Sequence, residues 1–133
     1  RLYARWNEFV QPGLGCRCVA DEPWVTAAET AELVMACLSV GKTRQARALL
    51  QGLHVLAADN NGYWMGWQFD ENVIWPRDRP SWTAGALIMA ADALDRTSAG
   101  SELLITNQIP ELTASTAGKV KADDEALPAS PHV

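Results

Sequence analysis

Asp21-Glu22-Pro23-Trp24-Val25-Thr26-Ala27 is echoed further along the chain by Asp78-Arg79-Pro80-Ser81-Trp82-Thr83-Ala84. Asp, Pro, Thr and Ala recur at one spacing, and a Trp stands just before each Thr-Ala, shifted by one. Each copy leads out of a loop into an alanine- and leucine-rich run with helical spacing. A repeat of that length accommodates two helices and their loops, which is the signature of a helical array. Such arrays bury their faces by stacking about three or more units. The expected fold class is therefore all-α: part of a larger set of helical hairpins over residues 1–96, a long aromatic loop within it, and a disordered tail over 97–133.

The helices follow from local signals. Thr26 with Glu29 three residues on fits a capping box, and Gly41 is a natural stop. A helix is expected over 26–40, with Ala27, Ala31, Val34, Cys37 and Leu38 on its apolar face. Thr43 can cap a second helix over 44–57, striped by Ala46, Leu49, Leu50, Leu53 and Leu56. The short link Gly41-Lys42 turns it back as a hairpin. A loop over 58–82 precedes a third helix over 83–96, with Ala84, Leu87, Ile88, Ala91 and Leu94 inward. Residues 1–10 read as the end of a helix that Pro12-Gly13 stops. From 97 onward there is no aromatic residue, and acids outnumber lysines. Such a segment buries too little apolar surface to offset its ordering entropy, although a short helix over 101–106 is compatible with it.

Composition narrows the function classes. The chain has 133 residues and a net charge of -5, with its basic residues scattered. A nucleic-acid surface needs a clustered basic face, so none is expected. No apolar run reaches the ~18 residues of a membrane span, and no signal peptide is visible. A cytoplasmic location is the expectation. The first residue is Arg, which points to a fragment or a processed chain. Cys16, Cys18 and Cys37 are odd in number, and the first two are too close for an ordinary disulfide, so free thiols are expected. His54 and His132 lie far apart and no ligand cluster is visible, so no metal is expected and no cofactor is indicated.

The chemistry, if any, concentrates in the loop. Tyr63, Trp64, Trp67, Trp75 and Trp82 fall there, beside Asp70, Glu71, Asp78, Arg77 and Arg79. Loops of this length inside helical proteins are often functional. Tryptophan faces can stack on sugar rings, line a pocket for an isoprenoid chain or shield a cation. A carboxyl in an apolar surround can protonate a substrate. Against this stands a plain structural role: tryptophans plug the ends of helical hairpins, and Asp21, Glu22 and Asp78 precede helix starts, where acids suit the helix dipole.

The stretches DEPWVTAAETAELVMACLSVGKTRQARALL, NNGYWMGW and IWPRDRPSWTAGALIMAADAL resemble the C-terminal part of bacterial prenyltransferase-like proteins with squalene-cyclase-type repeats. These are similar to the terpenoid cyclase and prenyltransferase superfamily. The resemblance covers about residues 3–96. It implies an α/α toroid built of inner and outer helices, and acid-initiated handling of isoprenoids. Asp21 or Glu22 would then donate the proton, and Trp24, Tyr63, Trp64, Trp67, Trp75 and Trp82 would line the cavity. Gly62 and Trp64 match the end of the superfamily's repeat motif, but Ala58 stands where its Gln would be. The zinc ligands of protein prenyltransferases have no counterpart.

Six-hairpin glycosidases share the toroid and a similar loop style. In that alternative, two carboxylates such as Asp21 and Asp70 would flank a glycosidic bond, about 5–5.5 Å apart for retention or ~6.5–9.5 Å for inversion. The partner would be an isoprenoid or a glycan. Both enzyme readings require carboxylates beside a cavity rather than on an outer rim. A third reading is a non-catalytic helical remnant that covers its apolar faces by self-association or against a missing remainder of the toroid.

Overall fold

The computed structural model describes residues 3–106. A single helical turn, α1 (Trp6–Phe9), leads into a hairpin of β1 (Val10–Gln11) and β2 (Gly15–Arg17). After a loop comes β3 (Trp24–Thr26), then α2 (Ala27–Ser39) and α3 (Thr43–Gly52), which runs on into a 3-10 turn at Leu53–Leu56. A second hairpin, β4 (Gly66–Gln68) and β5 (Val73–Ile74), precedes α4 (Ser81–Asp95). The five strands form one antiparallel sheet in the order β1-β2-β3-β4-β5. The helical hairpin is thus inserted between two strands that pair with each other.

The all-α expectation is overturned by this sheet: the fold is mixed, with three long helices packed beside five short strands. No ring of helical hairpins alone describes it. The strands escaped the sequence reading because each is two or three residues long, too short for a period of two to show. The stretch read as the 58–82 loop contains β4 and β5, and the stretch read as the end of a helix holds α1 and β1. Nor does the internal echo repeat a structure. Trp24 sits in a strand, whereas its counterpart Trp82 sits in the first turn of α4.

Helix α2 is the centre of the core and packs against both α3 and α4. Its buried residues are Ala27, Thr30, Ala31, Val34 and Cys37, and those of α4 are Thr83, Ala86, Leu87, Ala90 and Ala93. Small side chains on both helices let the two axes approach closely. Of the inward face expected for α4, Leu87 is buried and Leu94 packs on the core, but Ala84 and Ile88 are exposed, and Thr83, Ala86 and Ala90 complete the buried stripe. Leu49, Leu53 and Leu56 complete the core, and Trp64, Trp67 and Ile74 pack onto it from the sheet side.

Sheet and helix are joined at Thr30. Its hydroxyl donates to the Thr26 carbonyl (2.6 Å) and accepts from the Cys16 N–H (2.8 Å). The backbone of β2 comes so near that a Cβ on Gly15, which has φ +147, would collide with the Thr30 hydroxyl. Thr26 precedes α2 as expected, but its hydroxyl bonds the Glu29 carboxylate rather than a backbone N–H. At the other end of α2, Gly41 is left-handed (φ 72), and Lys42 N–H and Gly41 N–H bond the Cys37 and Leu38 carbonyls, a Schellman stop. Residues 97–106 form turns, without the helix considered for 101–106. Most of the tail expected to be disordered, 107–133, lies outside the described residues.

Candidate functional site

Asp21 and Glu22 lie in the turn between β2 and β3. The Trp24 N–H bonds the Glu22 carbonyl (2.8 Å), and the Cys18 N–H bonds the Trp24 carbonyl (3.2 Å), closing the turn on itself. The Phe69 N–H bonds the Pro23 carbonyl (2.9 Å), which extends the β3–β4 pairing by one step. The turn carrying Asp70 and Glu71 is therefore held at the same end of the sheet as Asp21 and Glu22. These acids, far apart in sequence, share one end of the sheet because β3 and β4 run antiparallel.

Arg17 braces this end. Its guanidinium lies 5.0 Å from the Phe69 ring centroid and donates to the Ala20 carbonyl (3.2 Å) and to Gln11 Oε1 (3.3 Å). One cation thus ties the two acidic turns together. The three candidate carboxylates, Asp21, Glu22 and Asp70, are all exposed to solvent. An apolar cavity of about 200 Å³ lies elsewhere, between Trp6, Val10, Leu14 and Leu49.

The tryptophans separate into two groups. Tyr63, Trp64 and Trp67 are half-buried and pack onto the core. Trp64 also carries the Arg79 and Arg77 guanidinium groups at 5.0 Å and 5.7 Å from its ring. Trp24 and Trp75 form a second group. The Trp24 indole N–H donates to the Trp75 carbonyl (2.7 Å), and the two rings meet edge to face with centroids 5.4 Å apart. The pair is locked over Gly66, because a Cβ there would overlap the Trp24 indole and the Trp75 N–H bonds the Gly66 carbonyl (3.1 Å). Trp75 is 58% exposed, so this locked pair shows an aromatic face to solvent.

Trp82 stands apart from both groups. It is 63% exposed and borders a hollow of about 370 Å³ with Met65, Asp78, Arg79 and Pro80. Arg17, Phe69, Gly66 and Met65 were not foreseen as site residues, since each gains its role from a strand pairing that the sequence does not display. Among the described residues no group of three or more His, Cys, Asp or Glu is placed to hold a metal. Cys16, Cys18 and Cys37 are free. Among the same residues no helix is long and apolar enough to cross a membrane.

No family model matches the chain. A protein of Mycolicibacterium hassiacum named MMP endo-(1,4)-3-O-methyl-alpha-D-mannosidase is 44% identical over 110 residues, which is 83% of this chain and 31% of the relative. The chain thus spans about a third of the length of the relative that it matches. This similarity, together with the five-stranded sheet, overturns the resemblance to prenyltransferase-like and squalene-cyclase-repeat proteins and leaves the isoprenoid partner without support. Over most of its own length, the chain is similar to part of an endo-mannosidase.

Proposed function

We propose that this chain forms the glycan-contacting part of a glycoside hydrolase that acts within a (1,4)-linked, O-methylated mannose polymer. The 44% identity to a relative named as such an enzyme is the observation that carries it. The geometry supports it in two ways. The Trp75 ring, exposed and fixed edge to face against Trp24, offers an apolar face of the kind that the C–H face of a sugar ring covers. Asp21, Glu22 and Asp70 gather at one end of the sheet, and glycoside hydrolysis uses two carboxylates, one to protonate the leaving oxygen and one to assist attack. In this reading Glu22 or Asp21 is the acid and Asp70 its counterpart across the bond.

A second reading is recognition without cleavage, and one observation favours it. A general acid works best in an apolar surround, whereas all three carboxylates stand in solvent. Enclosure would then have to come from further parts of an enzyme of the relative's length.

The test is a tryptophan-fluorescence titration of the full chain with (1,4)-linked 3-O-methylmannose oligosaccharides, followed by an assay of released reducing ends. Saturable binding is expected, weakened about tenfold, or ~1.4 kcal/mol, in Trp75→Ala. Cleavage should fall about 10²–10⁴-fold in Glu22→Gln or Asp21→Asn. Binding without turnover supports recognition alone. Absence of binding overturns both readings.

A further inference from the structure

We infer that the hollow between Met65, Asp78, Arg79, Pro80 and Trp82 is a distal subsite that holds one O-methylated hexose unit of the glycan. This rests on the glycan reading above, and extends it from the acidic end of the sheet to the opposite end.

The first ground is Trp82 itself. It is 63% exposed on the first turn of α4 and lies outside the core cluster. Its face is available for stacking. The second ground is the chemistry around it. Met65 and Pro80 offer apolar contacts that suit a methoxyl group, while the Asp78 carboxylate accepts and the Arg79 guanidinium donates hydrogen bonds to ring hydroxyls. The wall mixes apolar and charged groups, and about 370 Å³ falls at the small end of small-molecule sites.

The third ground is that the hollow is already built. The Met65 N–H bonds the Asp78 carbonyl (2.9 Å), and the Ala27 N–H bonds the Met65 carbonyl (3.0 Å), so the floor is tied to both β3–α2 and the strap before α4. Arg79 is held between the Asn60 side chain, which it bonds, and the Trp64 ring. A ligand would meet these groups in place, with little ordering left to do.

The fourth ground is spacing. Met65 and Phe69 bracket β4, and four steps along a strand are about 13 Å. The acidic turn lies at the Phe69 end, and Trp75 is bonded beside Gly66, next to Met65. The hollow at the Met65 end therefore lies about one strand length from the acidic turn. An enzyme that cuts inside a polymer must hold units well away from the bond it breaks, and this hollow is placed for that.

The experiment is calorimetry on the full chain with mannose oligosaccharides of two to six units, in 3-O-methylated and unmethylated form. In Trp82→Ala the longest methylated ligand should bind at least about tenfold more weakly, with the two-unit ligand unaffected. Met65→Ala should narrow the preference for methylated over unmethylated ligands. Asp78→Asn, a milder change, should weaken the longest ligand several-fold if Trp82→Ala fails to fold. If the folded variants bind every length as the unaltered chain does, while Trp75→Ala still loses affinity, the subsite is overturned and the glycan reading stands. A Trp82→Ala variant that changes only its oligomeric state likewise overturns it and makes the ring an interface. If the unaltered chain binds no member of the series, the glycan reading fails and the subsite with it.

Discussion

The Thr30 hydroxyl links sheet to helix, and next to it the Cys16 thiol is pushed up to about 11, chiefly by burial, with Glu29, Cys18 and Glu32 adding in that order. Desolvation disfavours the thiolate, and neighbouring carboxylates repel it. Thiolate, not thiol, attacks alkylating reagents. At pH 9 Cys16 should therefore react with iodoacetamide more than about tenfold slower in the folded chain than in urea, and its rate should keep climbing toward pH 11. Equal rates in the two states would show that the site is open. The linkage runs the same way: the folded value lies above the ordinary 9.0, so the stability present below pH 9 is lost as pH rises through about 11. That Cys16 is a free thiol was readable from an odd cysteine count; that it is a shielded one was not, because Glu29 reaches it only through the β2–α2 contact.

At the scale of elements, the 3-10 turn at Leu53–Leu56 is the piece with most to lose. Leu53 and Leu56 are both 0% exposed. The turn begins where Gly52 lies against the Gly13 and Leu14 carbonyls, which an added Cβ would meet at 3.2 Å and 3.3 Å. Helix α3 thus ends against the β1–β2 hairpin, five residues short of the 57 expected from its apolar stripe. Leu53→Ala should destabilise the fold by about 2–5 kcal/mol, since a buried leucine leaves a cavity. Ile88→Ala, on the exposed side of α4, should stay within about 0.5 kcal/mol. Urea melts of the two variants check both values, and comparable losses would mean that the buried face of α4 has been assigned wrongly. The end of α2 was legible, because a left-handed Gly after it acts locally; its start at Thr26 was legible too, although the Thr26 hydroxyl bonds the Glu29 carboxylate and no backbone N–H. The phase of α4 was legible only in part, at Leu87 and Leu94, because its alanines leave little hydrophobic contrast to read.

For the whole molecule, one core cluster joins α2, α3, the 3-10 turn and α4, with Trp67 and Ile74 packed on it from β4 and β5. Sheet and helices should then unfold together. Thermal melts followed by helical circular dichroism and by tryptophan near-ultraviolet signal should share one midpoint. Two separated midpoints would mean that the sheet is an appendage, and the proposed glycan site, which is built on it, would lose its rigid base.

The sequence by itself determined that three long helices form, where α2 stops, that the cysteines are free, and that aromatic and acidic residues crowd the stretch after the helical hairpin. Those features depend on neighbours a few positions apart. It weighed an isoprenoid against a glycan resemblance, and it preferred the one that the similarity to an endo-mannosidase overturns. Only the tertiary structure decided that β3 and β4 pair across the inserted hairpin. That pairing places Asp21 and Glu22 at the same end of the sheet as Asp70 and, with the β4–β5 pairing, sets Trp24 across Gly66 onto Trp75. Strands of two or three residues carry almost no pattern of their own, and their partners are chosen by long-range hydrogen bonds and by the core beneath them.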